Sequence, residues 1–320
     1  MTCLFLLVFV NGCYRGMEVP AGTTGGGGAS GASGASRVGA SGGAAASGKA
    51  GTAAAAGGTI VSGDAGSNYD SLVLSDGAVA FWNGVSGTDA TGNGHNSVLV
   101  NNPSATVLPN GGAALVFNGV NQYLEVKSSP DLSVPATGVL TLEAWIRPDV
   151  LDVVHTEGSG YVHWMGKGAP SSYEYASRMY GQHPTGKDSA RINRISGYVF
   201  NPGGGLGAGS YYQPTASWPL QRGEWIHYVL VINTNITSAQ YPTGYTRLYV
   251  HRKKTDGTLV TFTDQDALAD YNIIPRAGSV PFRVGTVNFS SWWQGAVGKV
   301  AIYSYELSAG RALEHAAKMF

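Results

Sequence analysis

An all-β sandwich is the fold that the sequence predicts for residues 69–320, and three observations predict it. Apolar residues recur there with a period of two, in short runs of the kind that bury one face of a strand. Segments rich in Gly and Asn separate these runs, as in sandwiches built from many short strands. The stretch also lacks both of the chain's cysteines, Cys3 and Cys13, so no disulfide or Cys-based metal site holds it, and its core must be hydrophobic.

The N-terminal region has a different character. The apolar run Leu4 to Val10 is too short to span a bilayer and reads as the central region of an export signal ending at Cys13 (residues 1–13). Val10-Asn11-Gly12-Cys13 resembles a bacterial lipobox, which implies lipidation at Cys13 and a cell-envelope or outer-membrane location; ordinary secretion is the alternative. Residues 14–68 hold no aromatic between Tyr14 and Tyr69 and are mostly Gly, Ala, Ser and Thr from Ala21 to Gly66. Such a segment cannot bury enough apolar area to offset its ordering entropy. As a flexible linker it would reach about 40 Å.

Strands are predicted over Ala113 to Phe117, Tyr123 to Lys127, Leu140 to Arg147, Tyr161 to Met165, Tyr173 to Tyr180, Arg194 to Phe200, Trp225 to Ile232, Thr246 to Val250, Thr258 to Phe262, Phe282 to Gly285 and Gln294 to Tyr303. Asp256-Gly257 between two of them supplies the positive φ of a tight hairpin. The one predicted helix is Ala309 to Ala317, capped by Ser308, with Ala312, Leu313 and Ala316 on one face covering a sheet edge. Twenty basic residues balance twenty acidic ones, which argues against a nucleic-acid partner recruited by bulk charge.

Five strings in order resemble the laminin G-like domains of the concanavalin A-like lectin/glucanase superfamily. They are Val79-Ala80-Phe81-Trp82 with Asp89-Ala90-Thr91-Gly92-Asn93-Gly94-His95; Ala114-Leu115-Val116-Phe117-Asn118-Gly119-Val120-Asn121-Gln122-Tyr123-Leu124-Glu125-Val126; Leu140-Thr141-Leu142-Glu143-Ala144-Trp145-Ile146-Arg147-Pro148; Gly223-Glu224-Trp225-Ile226-His227-Tyr228-Val229; and Gly295 to Tyr303 followed by Leu307-Ser308. The resemblance implies a jelly roll of two antiparallel sheets with one concave face, with Trp82, Trp145 and Trp225 in the core and His227 as a hydrogen-bonded structural histidine. Many relatives carry a structural calcium, which stays open here. The closing strand has Gly298-Lys299 where the family usually has Asp-Glu, which removes carboxylates that Ca²⁺ needs. Asp89 is the remaining candidate oxygen ligand, and Asp264-Gln265-Asp266 to Asp270 reads as a solvated loop.

The candidate ligand site lies in Tyr173 to Tyr212. Alternation places Arg194, Ser196 and Tyr198 on one face and Glu174, Arg178 and Tyr180 on one face of the preceding strand. Flat aromatic rings stack on sugars, and guanidinium forks bind hydroxyls or carboxylates. Asn201 to Gln213 reads as a glycine-rich loop placing Tyr211 or Tyr212 at the rim, and of Trp292-Trp293 one ring faces inward and the other outward as a platform. The ligand-binding candidates are therefore Glu174, Arg178, Tyr180, Arg194, Tyr198, Tyr211, Tyr212, Trp292 and Trp293, with an Arg-Glu-Tyr structural network as the alternative.

Catalysis has less support. The Glu-x-Asp-x-x-Glu strand of the glucanases is absent, and the stretch Gly207 to Gln213 loosely resembles the Tyr-bearing strand of alginate lyases without their Gln-x-His and Arg-Glu-x-Arg partners; Gln182-His183 is adjacent rather than spaced. The expected protein is an exported surface protein whose sandwich binds a polysaccharide or glycoconjugate without cleaving it. An adhesion module for an extracellular protein is the first alternative and a polysaccharide lyase or hydrolase the second, with any membrane contact made through the lipid anchor.

Overall fold

The computed structural model describes residues 68–153, 160–183, 190–201 and 204–320, all within one compact unit that spans Gly58–Phe320. The export signal, Cys13 and almost all of the expected linker lie outside the described residues.

Among the described residues fifteen strands follow a short helix, α1 (Asn68–Ser75): β1 (Ala80–Trp82), β2 (Ser97–Val100), β3 (Ser104–Val107), β4 (Ala113–Asn118), β5 (Tyr123–Val126), β6 (Val139–Pro148), β7 (Tyr161–Lys167), β8 (Tyr175–Tyr180), β9 (Ile195–Val199), β10 (Ala208–Tyr212), β11 (Ile226–Asn233), β12 (Tyr245–Lys253), β13 (Leu259–Ala267), β14 (Phe282–Val284) and β15 (Gln294–Tyr303). Helix α2 (Ala309–Ala317) closes the chain. The predicted all-β sandwich is what the strands build. One sheet has the order β13-β12-β11-β6-β15-β4-β3 with β1 also paired to β15, the other has the order β10-β9-β8-β7-β14-β5-β2, and every pairing is antiparallel.

Alternation explains the core. Leu142, Ala144 and Ile146 of β6 and Tyr228, Leu230 and Ile232 of β11 face Val162, Trp164, Met179, Ile195 and Phe282 of the second sheet in one apolar cluster. Trp164 sits at its centre, 5.0 Å from Tyr228 edge-on and 5.9 Å from Trp293. A β-bulge between His163 and Met165 turns both Trp164 and Met165 inward. The hairpin at Asp256-Gly257 forms, but Gly257 alone has positive φ, at 88°. Lys254 N–H donates to Thr258 O at 2.8 Å, closing a three-residue loop with its glycine in the left-handed region.

A second cluster covers the outer face of the eight-stranded sheet, where α1 and α2 pack on Trp145, Val229, Val231, Tyr249 and Tyr303. Ser308 caps α2 as expected, its Oγ accepting from Arg311 N–H at 3.2 Å. The buried face of α2 is Ala312, His315 and Ala316, and Leu313 is exposed; the helix lies on a sheet face and not on an edge. Its anchor is a buried carboxylate. Glu143 Oε1 accepts from Tyr69 OH (2.7 Å), His227 Nε2 (2.8 Å) and His315 Nδ1 (2.9 Å), and Oε2 accepts from Tyr303 OH (2.6 Å). Burial alone would raise this carboxyl, but His315 and His227 outweigh it and hold Glu143 far below the ordinary carboxylate range. His227 thus has the structural role expected of it. Trp82 and Trp145 are core residues, whereas Trp225 is half-buried under the Arg147 guanidinium.

Candidate functional site

The site is built on the outer face of the seven-stranded sheet. Because Tyr175, Met179, Ile195, Val199, Ala208 and Tyr212 point into the core, the alternate residues Arg178, Tyr180, Tyr198 and Tyr211 point outward. Register then brings Arg178 opposite Ser196 on β9 and opposite His163 on β7, with Tyr161 opposite Tyr180.

Arg178 is the centre of the arrangement. Its guanidinium lies between two rings, 3.9 Å from the Tyr161 centroid and 4.4 Å from that of Tyr198. Its Nε and Nη2 donate to His163 Nε2 at 3.1 and 3.0 Å, and Nη1 donates to Tyr180 OH at 3.1 Å. Since arginine only donates, His163 Nε2 must accept, and the imidazole is neutral. Burial, helped by the Arg178 charge, holds His163 well below its ordinary value. Tyr180 OH accepts a second guanidinium bond from Arg191 Nη1 at 3.0 Å. Burial raises this phenol, but Arg178 and Arg191 more than offset it and hold its pKa below the ordinary tyrosine value.

Arg194 extends the cluster toward β10. Its guanidinium stacks 4.0 Å above Tyr211, and its Nε donates to Gln213 Oε1 at 2.9 Å. Between the two arginines lies Tyr198, whose ring rests directly over Gly209 of the neighbouring strand; any Cβ at Gly209 would collide with it. Glycine is required here by this close approach, because a side chain would lift the ring off the sheet.

Of the expected ligand-binding residues, Glu174, Tyr180, Tyr212 and Trp293 are buried. Glu174 pairs with the buried Lys167 and accepts from Gly278 N–H at 2.6 Å, Tyr212 OH accepts from Arg252 at 2.6 Å inside the sandwich, and Trp293 packs on Trp164. Arg178, Arg194, Tyr198 and Trp292 are half-buried, and Tyr211 is 44% exposed. Trp292 does not join Arg178. It forms a separate aromatic group with Tyr123 and Phe289, at 6.0 and 5.8 Å. Sequence reasoning missed Tyr161, His163 and Arg191; the strand holding the first two was predicted, and its outward face carried the signal.

The supposed loop Asn201 to Gln213 is in part the edge strand β10, and Asp264-Gln265-Asp266 lies within β13. Asp264 Oδ2 accepts from Tyr211 N–H at 2.8 Å and Asp266 Oδ2 from Gly209 N–H at 3.2 Å, so two carboxylates satisfy an edge that has no further strand. A cavity of about 200 Å³ beside them is lined by Tyr211, Tyr212, Gln213, Leu248, Phe262, Thr263 and Asp264.

The residues do not fit a calcium site. Asp89 spends its oxygens on its own turn, accepting from Phe81 N–H (3.1 Å), Thr91 N–H (3.0 Å), Thr91 OH (2.7 Å) and His95 N–H (3.0 Å). Lys299, at a position where laminin G-like domains usually have an acid, brings a buried cation to Asp70 at 2.7 Å. Among the described residues no group of three His, Cys, Asp or Glu side chains could hold a metal.

No protein-family model matches the chain, and no curated protein matches it. Solved structures do. The binding domain of Paraclostridial Mosquitocidal Protein 1 superposes with a TM-score of 0.51 at 12% identity, covering 76% of this chain and 53% of that one. What is shared is the fold. The binding domain of botulinum neurotoxin DC, in complex with SialylT, gives 0.51 at 10% identity, covering 77% and 53%. This chain therefore spans about half the length of either toxin domain. Domain 4 of AbnA, a GH43 extracellular arabinanase from Geobacillus stearothermophilus, in complex with arabinotriose, matches at a TM-score of 0.45 and 16% identity over 75% of this chain and 98% of that one.

Proposed function

We propose that this domain is a non-catalytic carbohydrate-binding module of laminin G-like type, exported and carried on the cell envelope through lipidated Cys13. Tyr198 and Tyr211 stack on sugar rings, Arg178 and Arg194 donate to sugar oxygens, and Trp292 offers a further platform at the side. The observation that carries this reading is the outward ladder of tyrosine rings and guanidinium groups at 3.9, 4.4 and 4.0 Å. Rings fixed in this way present apolar faces beside charged donors without ordering cost on binding. The toxin domain that binds SialylT shares the fold, which is compatible with a binding role.

Glycoside hydrolysis on this face is disfavoured because its seven strands carry one carboxylate, Glu125, and it pairs with Arg283 at 2.7 Å. Two-carboxylate glycoside hydrolysis needs a second. The test is retention of the full chain on immobilised neutral and acidic polysaccharides, beside the R194A/Y198A variant. Retention lost in a folded variant supports the assignment. Unchanged retention removes this face as the site, shortened or unsaturated products would make the protein an enzyme, and capture of a defined protein without glycan would favour an adhesion module.

A further inference from the structure

We infer that the ligand of this face is an acidic glycan bearing at least two anionic groups along its chain; the inference rests on the carbohydrate-binding reading. Arg147, Arg247, Arg252, Arg283 and Arg311 are each paired with a carboxylate: Asp149, Glu306, Glu224, Glu125 and Asp76. Arg178 and Arg194 are not. Their hydrogen-bond partners are neutral, namely an imidazole nitrogen, a phenol oxygen and an amide oxygen.

A half-buried cation among neutral acceptors has lost part of its hydration without gaining a counter-charge, so an arriving anion meets an uncompensated field. Arg194 is the more open receptor. It uses only Nε on Gln213, and Tyr211 fixes the plane of the guanidinium. Both terminal nitrogens are left to make the parallel pair of bonds that guanidinium forms with carboxylate. Burial, with the nearby Arg191 charge, depresses Arg194, and a bound anion would relieve both effects.

Spacing sets the number of charges. Arg178 faces Ser196 in register, and Arg194 is two residues along the same strand on the same face. With about 4.8 Å between strands and about 6.6 Å for two residues, the two backbone positions are about 8 Å apart. The side chains also diverge, Arg178 toward His163 and Tyr161 of β7 and Arg194 toward Tyr211 and Gln213 on the β10 side, so each calls for its own anionic group, as an oligomer with acidic groups on successive sugars supplies.

The full chain is titrated with tetragalacturonate, its methyl ester, galacturonic acid monomer, a heparin tetrasaccharide and a neutral galactan tetrasaccharide, at low and high salt, beside R194Q. Tetragalacturonate or the heparin fragment should bind about tenfold or more tightly than the neutral chain. That advantage should fall with salt and be absent in R194Q, and the ester and monomer should bind as weakly as the neutral chain. Preference for the ester would assign the field to sulfate only if the heparin fragment still bound; otherwise it refutes the inference. Neutral galactan bound equally, with loss in R194A/Y198A, overturns the acidic specificity and leaves the carbohydrate-binding role. Acidic binding unaffected by R194Q overturns the assigned receptor. If no glycan binds a folded protein, both readings fall.

Discussion

Replacing Glu143 by alanine should be the most damaging single change on the helix-covered side of the sandwich. Glu143 is fully buried and takes hydrogen bonds from Tyr69, His227, Tyr303 and His315, at 2.6 to 2.9 Å. These donors come from α1, β11, β15 and α2, so one carboxylate ties both helices to the sheet. Removing one partner of a buried charged network costs about 3–5 kcal/mol, because the remaining groups stay buried without acceptors. In a domain of this size about 2–4 °C is lost per kcal/mol, so the midpoint should fall by roughly 6–20 °C. The assay is thermal and urea unfolding followed by circular dichroism, with Glu143→Gln as the partner variant. Glutamine keeps one carbonyl acceptor and should lose about half as much. A loss under about 1 kcal/mol for alanine would refute the claim that this network anchors the helices.

The same region sets an acid limit. His251 is pushed down to about 3 by burial first and then by His227, so its contribution is complete above about pH 6.5 and is lost as pH falls from there toward 3. Glu143, depressed below its ordinary 4.5, adds a loss that begins below that pH; an unchanged acid midpoint in His251→Phe would defeat the first part. Gly209→Val should displace the Tyr198 ring, abolishing glycan retention at a stability cost of about 1–3 kcal/mol, and retained binding would show that the ring is not a contact. The double change Asp264→Ala and Asp266→Ala strips the acceptors from the β10 edge, so self-association should appear in light scattering, whereas a monomeric variant would show that the edge is protected otherwise.

The sequence was most readable where a residue's role depends on its own strand. Period two located eleven strands, including β9, because one buried face forces strict alternation. It was silent on β1, β2 and β3, which are three or four residues long, and on β10, whose Ala-Gly-Ser start imitates a loop. Helix α1 escaped because eight residues, with Leu72, Val73 and Leu74 adjacent, are too few to show the helical period. The site was legible as composition and not as geometry. Alternation put Tyr180 outward, but the Tyr161 and Arg191 that bury it come from a neighbouring strand and a loop, and only register reveals them.

The two outer faces solve the same physical problem with opposite signs. On the eight-stranded sheet a buried anion, Glu143, collects donors from every element packed over it, and the charge is used up inside the fold. On the seven-stranded sheet cations are held by rings, by a neutral His163 and by phenol and amide oxygens, and no helix among the described residues packs over them. A purely structural role for Arg178 would be served better by a carboxylate, which this sequence supplies for Arg283 on the same sheet. Holding Arg178 with neutral groups fixes its geometry while leaving its charge uncompensated, which is the arrangement expected of a receptor for an anion that arrives from solution. Arg178→Lys separates the two roles: lysine keeps the charge but cannot stack as a plane or bond His163 and Tyr180 together. If the arrangement is a receptor, the variant should keep its fold and lose acidic-glycan affinity by about tenfold. If it is structural, stability should fall in step with binding, and the melting curve of the variant decides between them.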